Sequence, residues 1–311
     1  MRDHVISELV NLVKKDSHLY LICGDLGYVV LDKFKEAAPN NFMNAGIAEQ
    51  NMTALAAGLA LEGNTVFTYS IGNFPTLRCI EQIRNDVCYH HANVKILAVG
   101  GGFVYGNQGV THHATEDIAV MRALPTMRVY VPGDAYEAVE CLKEAYEIPG
   151  PAYIRLARNK EQNFHEDGAV IDINKLQGYS QAGSDVNVLT TGSILIEGIK
   201  LQKVLKENGI SAGIFSVPRI KPIDADSIRN IAKNSKLLVT MEEHQIDGGL
   251  GGAVAEVMSS ISEKHAVLYR AGLNNQFSDT TGSQEYLRDC YSISADTLLP
   301  IVINTLKEFD K

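Results

Sequence analysis

Paired cysteines are missing from this chain. Cys23, Cys79, Cys88, Cys141 and Cys290 are odd in number and no two have C-x-x-C spacing. That argues against a disulfide framework and against a zinc site, and it fits a reducing cytoplasm. Basic charge is also short: 28 Lys and Arg stand against 37 Asp and Glu, a net −9. An acidic excess argues against non-specific nucleic-acid binding and against a basic membrane-surface role. No apolar run reaches the roughly 18 residues of a spanning helix. The opening Met-Arg-Asp-His-Val lacks a charged-then-apolar leader, so no signal peptide is expected. Repeats and low-complexity tracts are absent, and the sequon-like Asn51-Met52-Thr53 lies inside a helical pattern and reads as chance. What remains is an ordinary globular composition, 45% apolar and 21% charged over 311 residues, enough for about two domains.

Apolar spacing alternates between helical and strand periods. Val5, Ile6, Leu9, Val10, Leu12 and Val13 mark a first helix, and Leu19 to Cys23 a strand. A helix over Gly46 to Glu62, a strand over Thr65 to Ser70, a helix over Leu77 to His90 and a strand over Val94 to Val99 follow. After a strand at Arg128 to Val131, Asp134 and Glu137 have capping-box-like spacing for a helix through Tyr146, and Ala152 to Arg158 is a further strand. A second alternating unit begins at Val186 and ends in a helix over Ala295 to Phe309. The pattern predicts two consecutive three-layer α/β domains with mainly parallel sheets, at 1–165 and 186–311, joined by a polar linker at 166–185. Ligands in such sheets bind beyond the carboxyl ends of strands. This rule selects Gly24 to Gly27, Ser70 to Phe74, Gly100 to His113, and Arg158.

The segment Gly46-Ile47-Ala48-Glu49-Gln50-Asn51-Met52 is the most informative. Glu49 shares a helix face with Met52, Ala56 and Leu59, in a helix rich in Ala, Gly and Leu. A carboxylate there is either buried, where it favours a hydrogen bond to a ligand nitrogen, or a first-turn Glu that complements the helix dipole from solvent.

This heptapeptide resembles the pyrimidine-binding domain of the thiamine diphosphate enzymes, transketolases in particular. The likeness continues in Thr111 to Ala119, in Met121 to Pro125, in Val131 to Asp134 and in Gly150 to Arg158. Thr190-Thr191-Gly192-Ser193 and Glu242-Glu243-His244 before Gly248 to Gly251 are similar to the transketolase C-terminal domain. By this resemblance Glu49 hydrogen-bonds N1′ of the cofactor aminopyrimidine and Phe74 stacks against it. Ile71 and Leu77 stand where other pocket aromatics are usual, and Asp25 lies near the thiazolium. His112 contacts sugar hydroxyls, while Arg158 and Arg2 bind phosphate. Gln108 stands where the family has an Asp that reads the acceptor's C2 hydroxyl. Gly100 and Val29 replace a phosphate-binding His and Ser, with Tyr105 and Asn107 available to fill the space.

The family's Gly-Asp-Gly…Asn motif for metal and diphosphate is missing; Gly24-Asp25-Leu26 has the wrong third residue and Asn40-Asn41 follows too closely. The resemblance therefore implies the C-terminal subunit of a split transketolase, with no metal ligand of its own. Thiamine diphosphate, with magnesium or calcium held mainly by a separate N-terminal subunit, would be the cofactor. Two such pairs would form a cytoplasmic α2β2 heterotetramer acting on sugar phosphates or modified sugars. Two other readings stand beside it: the beta subunit of a 2-oxoacid dehydrogenase, and a non-catalytic regulatory subunit.

Overall fold

The computed structural model describes residues 1–158 and 162–309. Its first half runs α1 (Arg2–Val13), β1 (Leu19–Cys23), α2 (Asp32–Ala37), β2 (Phe42–Asn44), α3 (Glu49–Leu61), β3 (Thr65–Ile71), α4 (Ile80–Gln82), β4 (Val94–Val99), α5 (Asp117–Ala123), β5 (Arg128–Tyr130), α6 (Ala135–Glu147) and β6 (Ala152–Leu156). The second half runs β7 (Gln177–Gly178), β8 (Val186–Thr190), α7 (Leu195–Glu207), β9 (Ala212–Ser216), β10 (Arg219–Lys221), α8 (Ala225–Lys233), β11 (Leu237–Gln245), α9 (Leu250–Met258), β12 (Val267–Leu273), α10 (Gln284–Cys290) and α11 (Ala295–Glu308). Two α/β units with mostly parallel sheets result, as the alternating pattern predicts.

The first sheet has the order β10-β5-β6-β4-β3-β1-β2 and is parallel apart from β10. Successive residues of its strands enter opposite layers. Leu21, Phe67, Leu97 and Ile154 pack with α1 and α6, whereas Ile22, Val66 and Ile96 pack with α3 and Met121 of α5. The second sheet, β12-β11-β8-β9-β7, repeats the scheme, with β7 antiparallel at its edge. Val188, Val239 and Ile214 face α7 and α11.

Three features depart from the sequence reading. The helix expected over Leu77 to His90 is a 3-10 turn (Leu77–Cys79), then α4, then a π-helical segment (Ile83–Tyr89). The wider π turn lets Ile83, Val87 and Cys88 all face the core. The polar stretch expected as a linker is partly built in: Ile173 is buried in the first domain's core and β7 pairs with β9. Last, β10 leaves the second half of the chain and pairs antiparallel with β5, Arg219 opposite Tyr130 and Lys221 opposite Val129. Lys221 Nζ then donates to the carbonyls of Arg122 (2.8 Å) and Leu124 (2.5 Å). One hydrophobic cluster accordingly joins Val129, Val131 and Tyr153 to Val217, Ile220, Leu238, Leu250 and Val254.

Asp134 caps α6 through Tyr136 N (3.0 Å) and Glu137 N (2.9 Å), as its spacing predicts. Burial works against its charge, but His165 and three backbone N–H groups prevail and hold it at about 2. Glu137 does not close the capping box on Asp134. Its Oε2 accepts from Gly133 N (2.6 Å) and Ser216 Oγ (2.9 Å), and its Oε1 accepts from Tyr179 Oη (3.0 Å). Complete burial pushes this carboxyl up to about 7, from an ordinary value of 4.5. The folded chain thus binds a proton here that the unfolded chain releases between those two values, so this group's contribution falls as pH rises from about 4.5 to about 7. Glu137→Gln, which keeps the shape, should remove that fall. Urea unfolding at pH 5 and pH 8 should show wild type losing on the order of 3 kcal/mol relative to the variant; parallel pH profiles would contradict the assignment.

Candidate active site

The carboxyl ends of β1, β3, β4 and β6 open on one edge of the first sheet, and the segments after them carry the residues selected from sequence. Glu49 opens α3 and is only 2% exposed, which decides for the buried reading. Its first-turn position is real, but its side chain turns inward past Gly24, where a Cβ would touch Glu49 Cγ at 3.4 Å. Arg78 Nη1 donates to Glu49 Oε2 at 2.6 Å. Arg78 is 47% exposed on its side chain, so the buried carboxylate meets solvent through a guanidinium.

The turn after β3 places Phe74 beside this pair. Phe74 N donates to the Ile71 carbonyl (2.8 Å), and Cys79 Sγ to the Phe74 carbonyl (3.3 Å). Arg78 Cζ lies 4.8 Å from the Phe74 ring centre. Ile71 is half-buried at the end of β3, and Leu77 is exposed at the rim. Asn73 Nδ2 ties this turn to the next loop by donating to the His113 carbonyl (2.7 Å).

That loop, 100–115, carries the candidate substrate residues. His112 meets Phe74 edge-on at 5.2 Å and Tyr105 at 6.2 Å, and Arg158 Cζ lies 5.0 Å from the Tyr105 ring. A line of contacting side chains, the candidate groove, therefore runs from Glu49 and Arg78 through Phe74, His112 and Tyr105 to Arg158 and its cavity. Burial, with His113 adding to it, holds the His112 imidazole below its usual range. Tyr105 packs directly on Gly100, where a Cβ would overlap the ring, so the aromatic fills space a larger side chain would need. Asn107 is exposed. Arg158, two residues beyond β6, and Arg2 line one cavity of about 460 Å³ with Ser193, Gln284 and Arg288 of the second domain. Met1 Sδ accepts from Ala157 N at 3.3 Å, which brings the two candidate phosphate-binding arginines to neighbouring positions.

Asp25 and Gln108 stand at the rim. Asp25, at φ 54°, accepts from Asn44 Nδ2 (2.9 Å) and Tyr28 Oη (3.0 Å), and these bonds, Asn44 first, lower its carboxyl. Gln108 is exposed on a 3-10 turn and its amide makes no hydrogen bond among the described residues. Val29 is 79% exposed. No group of three His, Cys, Asp or Glu residues stands ready for a metal ion among the described residues.

Sequence reasoning misses two parts of this site. Arg78 lies 29 residues from Glu49, and nothing local links them. The other is a buried ionic chain behind the loop. Asp117 pairs with Arg155 Nε at 2.9 Å, and Arg155 Nη2 donates to the carbonyls of Ala114 (2.5 Å) and Glu243 (3.0 Å). Glu243 in turn pairs with Arg288 Nε at 2.5 Å. In the sequence Glu242, Glu243 and His244 are legible only as a motif. Glu242 caps α9 through Leu250 N (2.6 Å) and Gly251 N (2.8 Å), and His244 Nε2 accepts from Ala119 N (3.2 Å).

Removing Arg78 should strand a buried charge. Arg78→Met is expected to destabilise the chain by about 1–2 kcal/mol, reduced by the exposure of the arginine. Adding Glu49→Gln should restore most of that loss in thermal and urea unfolding. Equal stability of wild type and both variants would mean the pair contributes nothing.

Residues 1–162 match the transketolase pyrimidine-binding domain, and residues 178–298 the transketolase C-terminal domain. A Methanocaldococcus jannaschii protein named as a transketolase C-terminal section is 37% identical over 311 residues, covering 99% of this chain and 96% of that one. One of the apulose-4-phosphate transketolase subunits, from Phocaeicola vulgatus, is 34% identical, with the match covering 81% of each chain. Among solved structures, a split-gene transketolase described as an inactive beta4 tetramer superposes with a TM-score of 0.89 at 33% identity, over 98% of both chains. With both domain matches in order along one chain, and with relatives of more than 30% identity over most of its length, the protein belongs to the transketolase family, as a chain of its pyrimidine-binding and C-terminal domains.

Proposed function

We propose that this chain is the catalytic C-terminal half of a thiamine diphosphate-dependent glycolaldehyde transferase, active only with a separate diphosphate-binding subunit. The observation that carries the proposal is Glu49: a side chain 2% exposed that meets Arg78, whose guanidinium lies over the Phe74 ring. The aminopyrimidine fits these residues. Glu49 would hold N1′, while Phe74, Ile71 and Leu77 would make the apolar wall. Asp25 would lie toward the thiazolium. Thiamine diphosphate, when bound, supplies the nucleophilic carbon and the electron sink for breaking a ketose C2–C3 bond.

The chain's own residues would do the rest. Glu49 sets the protonation of N1′. His112, its imidazole held below the usual range by burial and by His113, exchanges hydrogen bonds with sugar hydroxyls, and Arg158 with Arg2 holds a terminal phosphate or other anion. The diphosphate and its Mg2+ fall to the partner. Exposed Tyr28, Val29, Ile47, Leu77 and Val110 stand next to Asp25, Glu49, Arg78 and Gln108 in sequence, and apolar exposure around a polar site is what a partner surface covers. Two such pairs would make the α2β2 assembly, working in the cytoplasm.

The test is reconstitution with the diphosphate-domain subunit. The pair should bind thiamine diphosphate and move two carbons from a ketose to an aldose, while the lone chain does neither. Glu49→Gln should slow solvent deuterium exchange at the cofactor C2 by orders of magnitude. Exchange at the wild-type rate would refute the role of Glu49, and lipoamide-dependent activity would favour the 2-oxoacid dehydrogenase reading.

Gln108 should shift acceptor choice. An amide donates as well as accepts, whereas the family's carboxylate only accepts. A mismatch worth about 1–3 kcal/mol corresponds to roughly 5- to 150-fold in preference. Comparing ribose 5-phosphate with glyceraldehyde 3-phosphate for wild type and Gln108→Asp should show it. Ordinary use of both acceptors, unchanged by the substitution, would contradict this.

A further inference from the structure

We infer that the second domain positions the substrate-reading loop of the first, and that Glu243 is the positioning residue. The inference rests on the reading of Tyr105, Gln108 and His112 as substrate residues. Among the described residues none of the three is tied by a side-chain hydrogen bond to a residue outside the loop. Among the described residues the Gln108 side chain makes no hydrogen bond, the His112 ring bonds only to the adjacent Thr111 hydroxyl (3.0 Å), and the Tyr105 side chain makes ring contacts alone. Their placement comes from the loop backbone, and that backbone is fastened from behind.

The fastening is specific. Glu243 Oε2 accepts from Phe103 N at 2.9 Å. Its other partners belong to α10: Gln284 Nε2 at 2.9 Å from both oxygens and Arg288 Nε at 2.5 Å. The loop passes so close that Gly102, at φ 62°, has the Glu243 side chain where a Cβ would stand. The Phe103 ring stacks on Tyr291 at 5.4 Å and meets His113 edge-on at 5.4 Å. Gly282 N donates to the Gly106 carbonyl (3.3 Å), which also accepts from His113 Nε2 (2.9 Å). Beyond the loop, Gln245 N donates to the Thr115 carbonyl (2.9 Å). Contacts at 102, 103, 106 and 115 thus bracket the substrate residues, and each comes from β11 or from the segment 282–291.

A carboxylate is required at 243 because every partner it meets is a donor. An amide turned with its oxygen to Arg288 points N–H groups at the Phe103 N–H; turned the other way, it faces Arg288 with a donor. Glu243→Gln should therefore release the loop, and loosen Gln284 and Arg288 in the wall of the arginine-lined cavity, without touching Glu49 or Phe74. In the full chain, hydrogen exchange followed by mass spectrometry should speed up about tenfold or more in 100–115 and stay unchanged in 49–61. In the assembled enzyme, KM for the acceptor should rise about tenfold while deuterium exchange at the cofactor C2 stays within about twofold.

Gly106→Ala gives an independent route if Glu243→Gln fails to fold, because its Cβ would overlap the Gly282 carbonyl and lift the loop from the second domain. It should show the same split between KM and C2 exchange. Unchanged exchange in 100–115 for either folded variant would overturn the inference, as would C2 exchange falling in step with sugar turnover. An assembled wild type without transferase activity would sink the proposed function and leave the hydrogen-exchange arm to decide this one.

Discussion

Glu243 is a charge removed from water at the seam between two domains, and the order of the groove depends on its being matched there. Taking a carboxylate out of solvent is costly unless donors surround it. Here they do: a backbone N–H from one domain, an amide and a guanidinium from the other. Arg155 extends the chain to Asp117, and Arg288 reaches Glu197 at 3.8 Å. Such an arrangement adds little net stability over an apolar seam. It tolerates no sliding, however, since any shift leaves a buried charge unpaired, and geometric definition is what a reacting groove needs.

The groove itself is graded in character. At one end a buried carboxylate faces a guanidinium; at the other two arginines line a cavity shared by both domains. Between them lie rings that meet edge to face, and these contribute about 0.5–1.5 kcal/mol each beyond the area they bury. The chemistry is concentrated in segments that follow strands, while the strands are fixed by two cores with alternating residues assigned to each. A residue after a strand inherits the rigidity of the sheet without being enclosed by it.

Much of this is legible from spacing. The alternation of apolar periods implies two parallel sheets because each strand buries both faces, and the Asp134 cap is readable because a cap is a local event. The segment after Leu77 misleads because an α-helix and a π-helix share most of their apolar spacing, and the choice falls to packing. The strand Arg219–Lys221 is invisible as a separate element. It is three residues long, and its partner lies far back in the chain, Arg219 opposite Tyr130 with one irregularity between pairs. The same holds for Arg78 and Glu49, whose meeting is tertiary. A first-turn position does not decide the burial of Glu49, since it serves a solvent-facing residue equally well.

The returning strand bears on how the polypeptide can be divided. A fragment cut between the two family domains would leave β5 as an uncovered edge and strand Ile220 of β10 and Val217 on the other piece. Open edges of buried sheets invite pairing with other chains. Each half would thus meet the cell as an aggregation-prone species. The boundary between the two matched domains is therefore not a boundary between two self-contained sheets. Synthesis faces the same constraint: the first sheet cannot be completed until residue 221 has emerged, so the two halves mature together.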